Sequence, residues 1–264
     1  MNGNPQASNR KPIFNIGLAG EAGFLLTFRE QPSPALTDYI LRIAEHLSAQ
    51  YGALITDVAP AYKTLAIFYD ARHPNALALH THLIAMGREN AAEQSRNTGP
   101  PETEQTPAHN RPLDTVTALS TGPQQHIALP VYYDVEVAPD LSALAAHAAL
   151  SVEQIITLHT EQSYTAYANG FAPGFCYLGH VDKAIATPRH ATPRAAVAAG
   201  SVAIADRQTA VYPRQSPGGW HIIGRCPIVL FDANTQPPNT INVGDTVRFY
   251  AVDRQQFVSL GGTL

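Results

Sequence analysis

The sequence predicts an α+β protein of two parts: an N-terminal α/β sandwich over residues 13–88 and a C-terminal β-barrel over residues 126–264. A flexible start at 1–12 and a polar linker or insertion at 89–125 complete the division. Three observations support it. The apolar pattern of the first third gives the order ββαββα. Residues 89–125 are rich in Glu, Gln, Asn, Thr and Pro and almost lack large apolar side chains, so they cannot bury enough surface to offset chain entropy. Beyond 126, short β runs alternate with dense turn residues, the pattern of a closed or nearly closed barrel.

In the first part, the runs IFNIGLA and GFLLTF, separated around Gly20–Gly23, read as a hairpin. Leu36, Ile40, Ile43, Ala44 and Leu47 then share one helical face, with Pro34 suited to the first turn and Gly52 near the stop. ALITDVAP and KTLAIFYD read as strands, and residues 74–87 as a second helix. Two helices covering one face of a sheet make a sandwich of ferredoxin-like type. The segment 89–125 spans about 30 Å as a flexible chain, or lies as an ordered loop on the surface.

In the second part, HIALPVYYDV reads as a strand, and Asp140 precedes a short helix containing Leu141, Leu144 and Ala145. Ser151 with Gln154 forms a capping box for a further helix ending near His159. SYTAYANGF, GSVAIA, TAVYP, WHII, PIVLF and DTVRFYAV supply barrel strands.

Composition narrows the function. Charged residues make up 14% and the net charge is −4, so no basic field favours nucleic acid or an anionic membrane. No apolar run reaches membrane-spanning length and the start MNGNPQASNRKP is polar, so a cytoplasmic protein is expected. Cys176 and Cys226 lack CxxC spacing and read as two reduced, packed thiols. No HExxH pattern appears among the histidines, so no metal is expected. No GxxxxGK[ST] loop is present either, so ATP, where used, is expected to be handled by another chain or a composite interface.

Candidate site residues concentrate between 170 and 226. Arg189 and Arg194, in TPRHATPR, suit carboxylate recognition through the bidentate guanidinium fork; alternatively they brace loop carbonyls or pair with Asp182 and Asp206. Gln208, Thr209 and Tyr212 offer groups to orient a lactam or urea-like function, or else bond across strands. In SPGGWH, Gly218 and Gly219 could aim backbone amides as an oxyanion nest, Trp220 forms a flat wall, and His221 with Ser216 are the candidates for proton transfer and nucleophilic attack. The same string also reads as a tight turn beside a core Trp, and it lacks a GxSxG elbow. Tyr177 and Phe175 line the same mouth, and His159 reads as a helix C-terminal cap.

The ordered motifs FAPGFCYLG, ATPRHATPR, AGSVAIADRQTAVYP and SPGGWHIIGR resemble the 5-oxoprolinase B-subunit family, also called the KipI or allophanate hydrolase subunit 1 family. VAPAYKTLAIFYD is similar to the family's first domain. One departure stands out: Asp206 and Arg207 occupy a position where the family has a glycine pair, which alters a turn. The resemblance implies a cyclophilin-like barrel and a place in a complex that opens 5-oxo-L-proline to L-glutamate at the expense of ATP. It implies as partners a homologous C subunit, KipA-like, and an A subunit of LamB/YcsF type. Two other implied roles are a carboxyltransferase-like or allophanate hydrolase component of urea degradation and a KipI-like inhibitor of a sensor histidine kinase. No biotin-attachment sequence is present, so biotin is not expected on this chain.

Overall fold

Alternation on two adjacent strands sets the first layer: Phe24, Leu26 and Phe28 face inward on one, Leu65, Ile67 and Tyr69 on the next. The computed structural model describes residues 13–96 and 124–264, which divide into two units. In the first, β1 (Phe14–Leu18), β2 (Gly23–Phe28), β3 (Ile55–Ala61) and β4 (Thr64–Tyr69) form an antiparallel sheet in the order β1-β2-β4-β3. Helix α1 (Pro34–Tyr51) starts where Ser33 Oγ accepts the Leu36 amide and stops at Gly52, whose φ of 46° favours glycine. It buries Leu36, Ile40, Ile43, Ala44 and Leu47, the face the spacing predicts.

The second helix corrects the sequence reading. It was expected to end at 87 with linker from 89, yet α2 (Ala76–Arg96) runs on to Arg96. Glu, Ala, Gln and Arg in this stretch are good helix formers. Buried Asn90 also accepts the Phe14 amide at 2.9 Å, tying the added turns to the sheet. The predicted start at 1–12 and most of the predicted linker, 97–123, lie outside the described residues.

The second unit contains β5 (His126–Tyr132), α3 (Leu141–Ala148), α4 (Val152–Thr160), β6 (Ser163–Asn169), β7 (Cys176–Gly179), β8 (Arg194–Val197) and β9 (Ser201–Ala205). These are followed by β10 (Gln208–Val211), β11 (Ser216–Gly218), β12 (His221–Arg225), β13 (Thr246–Val252) and α5 (Arg254–Ser259). Seven strands close a barrel in the order β6-β13-β5-β12-β9-β10-β7, with β7 pairing back to β6. Only the β13–β5 pair within it is parallel. Strands β8 and β11 form a separate ribbon. The capping box at Ser151 and Gln154 is present as the spacing predicts.

Two predicted features differ. PIVLF, residues 227–231, is not a strand. Pro227 removes an amide donor, and the Thr240 amide and hydroxyl bond to Leu230 O and Val229 O, holding the segment as a loop with Val229 exposed. At the β9–β10 turn, Ala205 stands opposite Gln208, and Asp206 takes a φ of 51°. Aspartate tolerates this left-handed region better than most residues, so the hairpin closes without the family's glycine pair.

Every residue of β9 is buried because both sheet faces are covered. Val202 and Ile204 join the barrel interior, while Ala203 and Ala205 join an outer cluster with Ala210, Tyr212, Trp220, Ile222 and Phe175. The small alanines leave room for three large rings on the outside wall.

Inside the barrel, His159 is fully buried and is not a helix cap. Tyr133 Oη lies 2.7 Å from Nδ1 and Thr209 Oγ1 lies 2.9 Å from Nε2, while Thr209 donates to Ala203 O at 3.1 Å. One arrangement satisfies all three groups: Tyr133 donates to Nδ1, and the Nε2 proton goes to Thr209. Burial depresses the His159 pKa to about 3, so the folded protein keeps a neutral ring that the unfolded chain protonates below about pH 6.5. The stabilisation is therefore whole above that pH and lost as pH falls toward 3, by about 1.4 kcal/mol per unit. In urea unfolding, the wild type should lose about 2 kcal/mol more than His159→Gln between pH 7 and pH 5; equal losses would contradict the neutral-core assignment.

Candidate functional site

On the outer face of the barrel, Asp140 sits just before α3 with its side chain buried. Oδ2 accepts the Ile222 amide of β12 at 2.7 Å, and Oδ1 accepts Arg194 Nη2 of β8 at 2.6 Å. His190 Nε2 lies 3.4 Å from the same Oδ1, at ion-pair distance but without hydrogen-bond geometry. Burial pushes the Asp140 carboxyl up, but Arg194, the Ile222 amide and His190 outweigh it and hold the group below its ordinary value. Asp140, His190 and His221 each place one potential ligand atom within 4.8 Å of the others, the one such set among the described residues. The counter-charge on Asp140 is already the Arg194 guanidinium.

Beside this cluster stands an aromatic wall. Trp220 packs edge-on to Phe175 at 5.8 Å and tilted to Tyr177 at 5.9 Å, and the Arg189 guanidinium lies 5.7 Å from the Trp220 ring centroid. Tyr212 packs edge-on to Phe175 at 5.4 Å. Burial raises the Tyr212 pKa against the lowering effects of the Trp220 amide, Arg189 and Arg194, so its phenol lies within the field of both arginines. At the rim, Phe171 is 58% exposed and has a φ of 73°. That conformation is strained for a bulky side chain, and it presents the ring to solvent 5.1 Å from Phe175.

The predicted site residues separate into those brought together here and those directed elsewhere. Arg189, Arg194, Trp220, Tyr177, Tyr212 and His221 converge on the outer face. Arg194 pairs with Asp140, not with Asp182 or Asp206. Thr209 points into the barrel, fully buried and bonded to His159 and Ala203, so it is unavailable to a ligand. Gln208 sits at the hairpin end opposite Gly179 and Ala205. Ser216 and His221 form no pair: Ser216 Oγ donates to Arg214 O at 3.3 Å and His221 Nε2 to Pro188 O at 2.8 Å.

The glycine nest offered by the sequence does not form. Neither Gly218 nor Gly219 has a positive φ, which an alternating nest requires. Gly218 serves close packing, since an added Cβ would collide with Tyr212 Oη, and the Gly219 carbonyl accepts the His190 amide at 2.8 Å.

Asp140 and His190 were missed by the sequence reading. Asp140 looked like a helix start alone, and His190 stood unassigned between the two arginines of TPRHATPR. The signal for His190 was its position in the same proline-flanked loop; Asp140 had none.

The N-terminal unit has an open groove between α1 and α2 of about 840 Å³, lined by His46, Tyr51, Leu77 and His82. Tyr51 and His82 satisfy each other there at 2.8 Å.

A seven-stranded barrel with a cationic, aromatic outer face, accompanied by a separate α/β unit, defines the class of this chain. It belongs to the carboxyltransferase domain, subdomain C and D, family, which matches residues 14–241. The chain is 30% identical over 250 residues to the 5-oxoprolinase B subunit of Bacillus subtilis, covering 92% of this chain and 95% of that protein. It is 47% identical over 125 residues to the protein of the same name from Haemophilus influenzae, covering 47% of this chain and 59% of that one. Among solved structures, TTHA0988 superposes with a TM-score of 0.65 at 30% identity, over 88% of this chain and 40% of that chain. Kluyveromyces lactis urea carboxylase superposes with a TM-score of 0.65 at 15% identity, over 97% of this chain and 23% of that chain, a likeness of fold.

Gly218→Ala should lower stability by about 1–3 kcal/mol through overpacking and shift the emission of Trp220, the one tryptophan in the chain. Unchanged fluorescence and melting temperature would mean that Tyr212 does not occupy this position.

Proposed function

We propose that this chain is the B subunit of an ATP-dependent 5-oxoprolinase complex that opens 5-oxo-L-proline to L-glutamate. Support comes from near full-length similarity to a protein named as the B subunit of 5-oxoprolinase. The structural observation that carries the reading is Arg194, whose Nη2 is held by Asp140 while its Nη1 is buried without a hydrogen-bond partner. A buried guanidinium edge lacking an acceptor is poised for an anionic one. With Arg189 over Trp220 and Tyr212 alongside, the face suits a small ring bearing a carboxylate. Tyr177, the partly exposed ring of this wall, would pack on the ligand ring, while Tyr212 and Trp220 are buried and back the wall.

In this reading the barrel is of the cyclophilin-like type and its outer face meets the homologous C subunit to complete the pocket. The A subunit joins the same assembly, and ATP binds outside this chain alone. The chain alone is inactive. A cytoplasmic location fits two free thiols, both buried; burial pushes the Cys226 thiol up to about 11, where it resists oxidation. Among the described residues no single helix is long and apolar enough to cross a membrane.

A second reading, carboxyl transfer to a urea-like substrate, is favoured by the carboxyltransferase name of the matching family, and it would take its biotin from another chain. Kinase inhibition would instead use an exposed apolar surface.

The chain should be co-purified with its A and C partners and assayed for glutamate and ADP released from 5-oxo-L-proline and ATP, omitting each component in turn. Activity that depends on this chain supports the reading; a stable but inactive complex overturns it in favour of the other two. In the active complex, Arg194→Ala should lower kcat/KM at least about tenfold. Arg189→Ala, at an exposed position, should mainly raise KM. Effects within about twofold for both would remove carboxylate recognition from this face.

A further inference from the structure

We propose that Asp140 and His190 form a carboxylate–imidazole pair, in which Asp140 positions the ring and His190 carries the proton during lactam opening. The proposal rests on the 5-oxoprolinase reading and assigns a step within it.

The placement of the His190 ring is the first argument. Its loop, between Pro188 and Pro193, is pinned at three points: the His190 amide donates to Gly219 O, His221 Nε2 bonds Pro188 O, and Arg194 at the loop's end is clamped on Asp140. These contacts fix the loop backbone, and the one charged group set against the ring itself is Asp140, 3.4 Å from Nε2. Nε2 is buried, faces Asp140 Oδ1 and has no hydrogen-bond partner, while the side chain as a whole is 28% exposed. An imidazole with one nitrogen turned to a buried carboxylate and part of its ring open to solvent has the layout of an oriented base.

The second argument is charge. Asp140, itself paired with Arg194, faces the ring, and His221 lies against it tilted by 35° with centroids 3.8 Å apart. Arg189, on the same loop, is turned to Trp220. Of these groups only Asp140 offsets the positive charge that His190 gains on accepting a proton. His221, the residue singled out from sequence for this task, is bonded to a backbone carbonyl and is better described as a brace for the loop.

The third argument is proximity. Arg194 binds the oxygen that His190 faces, so a ligand carboxylate held on the free Nη1 edge brings its ring next to the imidazole. In the step assigned, the lactam oxygen carries the phosphoryl group that ATP has transferred to it elsewhere in the complex, and a water proton passes to Nδ1 of His190 as the water oxygen bonds to the lactam carbon. The same proton then passes to the ring nitrogen as the C–N bond breaks, giving the free amine and an acyl phosphate, which water hydrolyses to the carboxyl group and phosphate, and restoring the neutral imidazole.

The test uses the assembled complex. His190→Ala should lower kcat at least about a hundredfold with an unchanged melting temperature, and added imidazole should restore a measurable part of the rate. Asp140→Asn should lower kcat at least about tenfold, and the double variant should be no slower than His190→Ala, because the two act as a unit. Activity of His190→Ala within about threefold of wild type, absence of imidazole rescue, or one equivalent of bound metal lost in His190→Ala would each overturn the pair while leaving the 5-oxoprolinase reading intact. A wild-type complex that releases no glutamate would overturn both.

Discussion

The outer face depends on one buried carboxylate. Asp140 is charged where water is scarce, and an unpaired charge there would cost several kcal/mol. Its compensation draws in three parts of the chain: the β12 backbone through Ile222, the β8 side chain Arg194 and the loop residue His190. The Asp140 amide also donates to Ile222 O, so the start of α3 is fastened to β12 in both directions. Arg194 remains about one-third exposed, with a side-chain accessibility of 32%, so solvent screens part of the pairing energy. What the ion pair contributes most clearly is register: it fixes where β8 and the preceding loop lie against the barrel.

The barrel interior handles burial by the opposite route. His159 is kept neutral and bonded at both ring nitrogens, so no counter-charge is needed. The two solutions lie on opposite faces of the same strands. Thr209 faces inward from β10, while Tyr212, just beyond the end of that strand, joins the outer cluster. Period-two alternation separates a neutral, self-satisfied interior from a charged exterior. The wall between them is thin because Ala203, Ala205 and Ala210 occupy the outward positions.

Local features were legible in the sequence. The hairpin of β1 and β2, the α1 boundaries and the Ser151 capping box all follow from residues within a few positions of one another. The family's signature block, read from its motifs, coincides with the outer face. Parity was not legible. With both sides of β9 and β10 covered, no polar alternation shows which way Thr209 points, and it was read as a ligand group. Pairing over long separations was equally hidden: Arg194 had Asp182 and Asp206 much nearer in sequence than Asp140, 54 residues away. PIVLF failed for a different reason, because its apolar residues looked like a strand while Pro227 and the Thr240 contacts determine its backbone.

The same reasoning explains why the catalytic candidates shifted by one element. Composition drew attention to SPGGWH because Gly, Trp and His together suggest a site, but in the fold those residues are scaffold. Gly218 makes room for Tyr212, Gly219 and His221 anchor the neighbouring loop, and Trp220 supplies the wall. The two groups of this face left with unmet bonding capacity, Arg194 Nη1 and His190 Nε2, lie on and at the end of the loop that this scaffold holds. Unmet capacity in a buried, rigidly held group is the stronger indication of where a ligand belongs, because a group already satisfied by the protein must break a bond to serve a substrate.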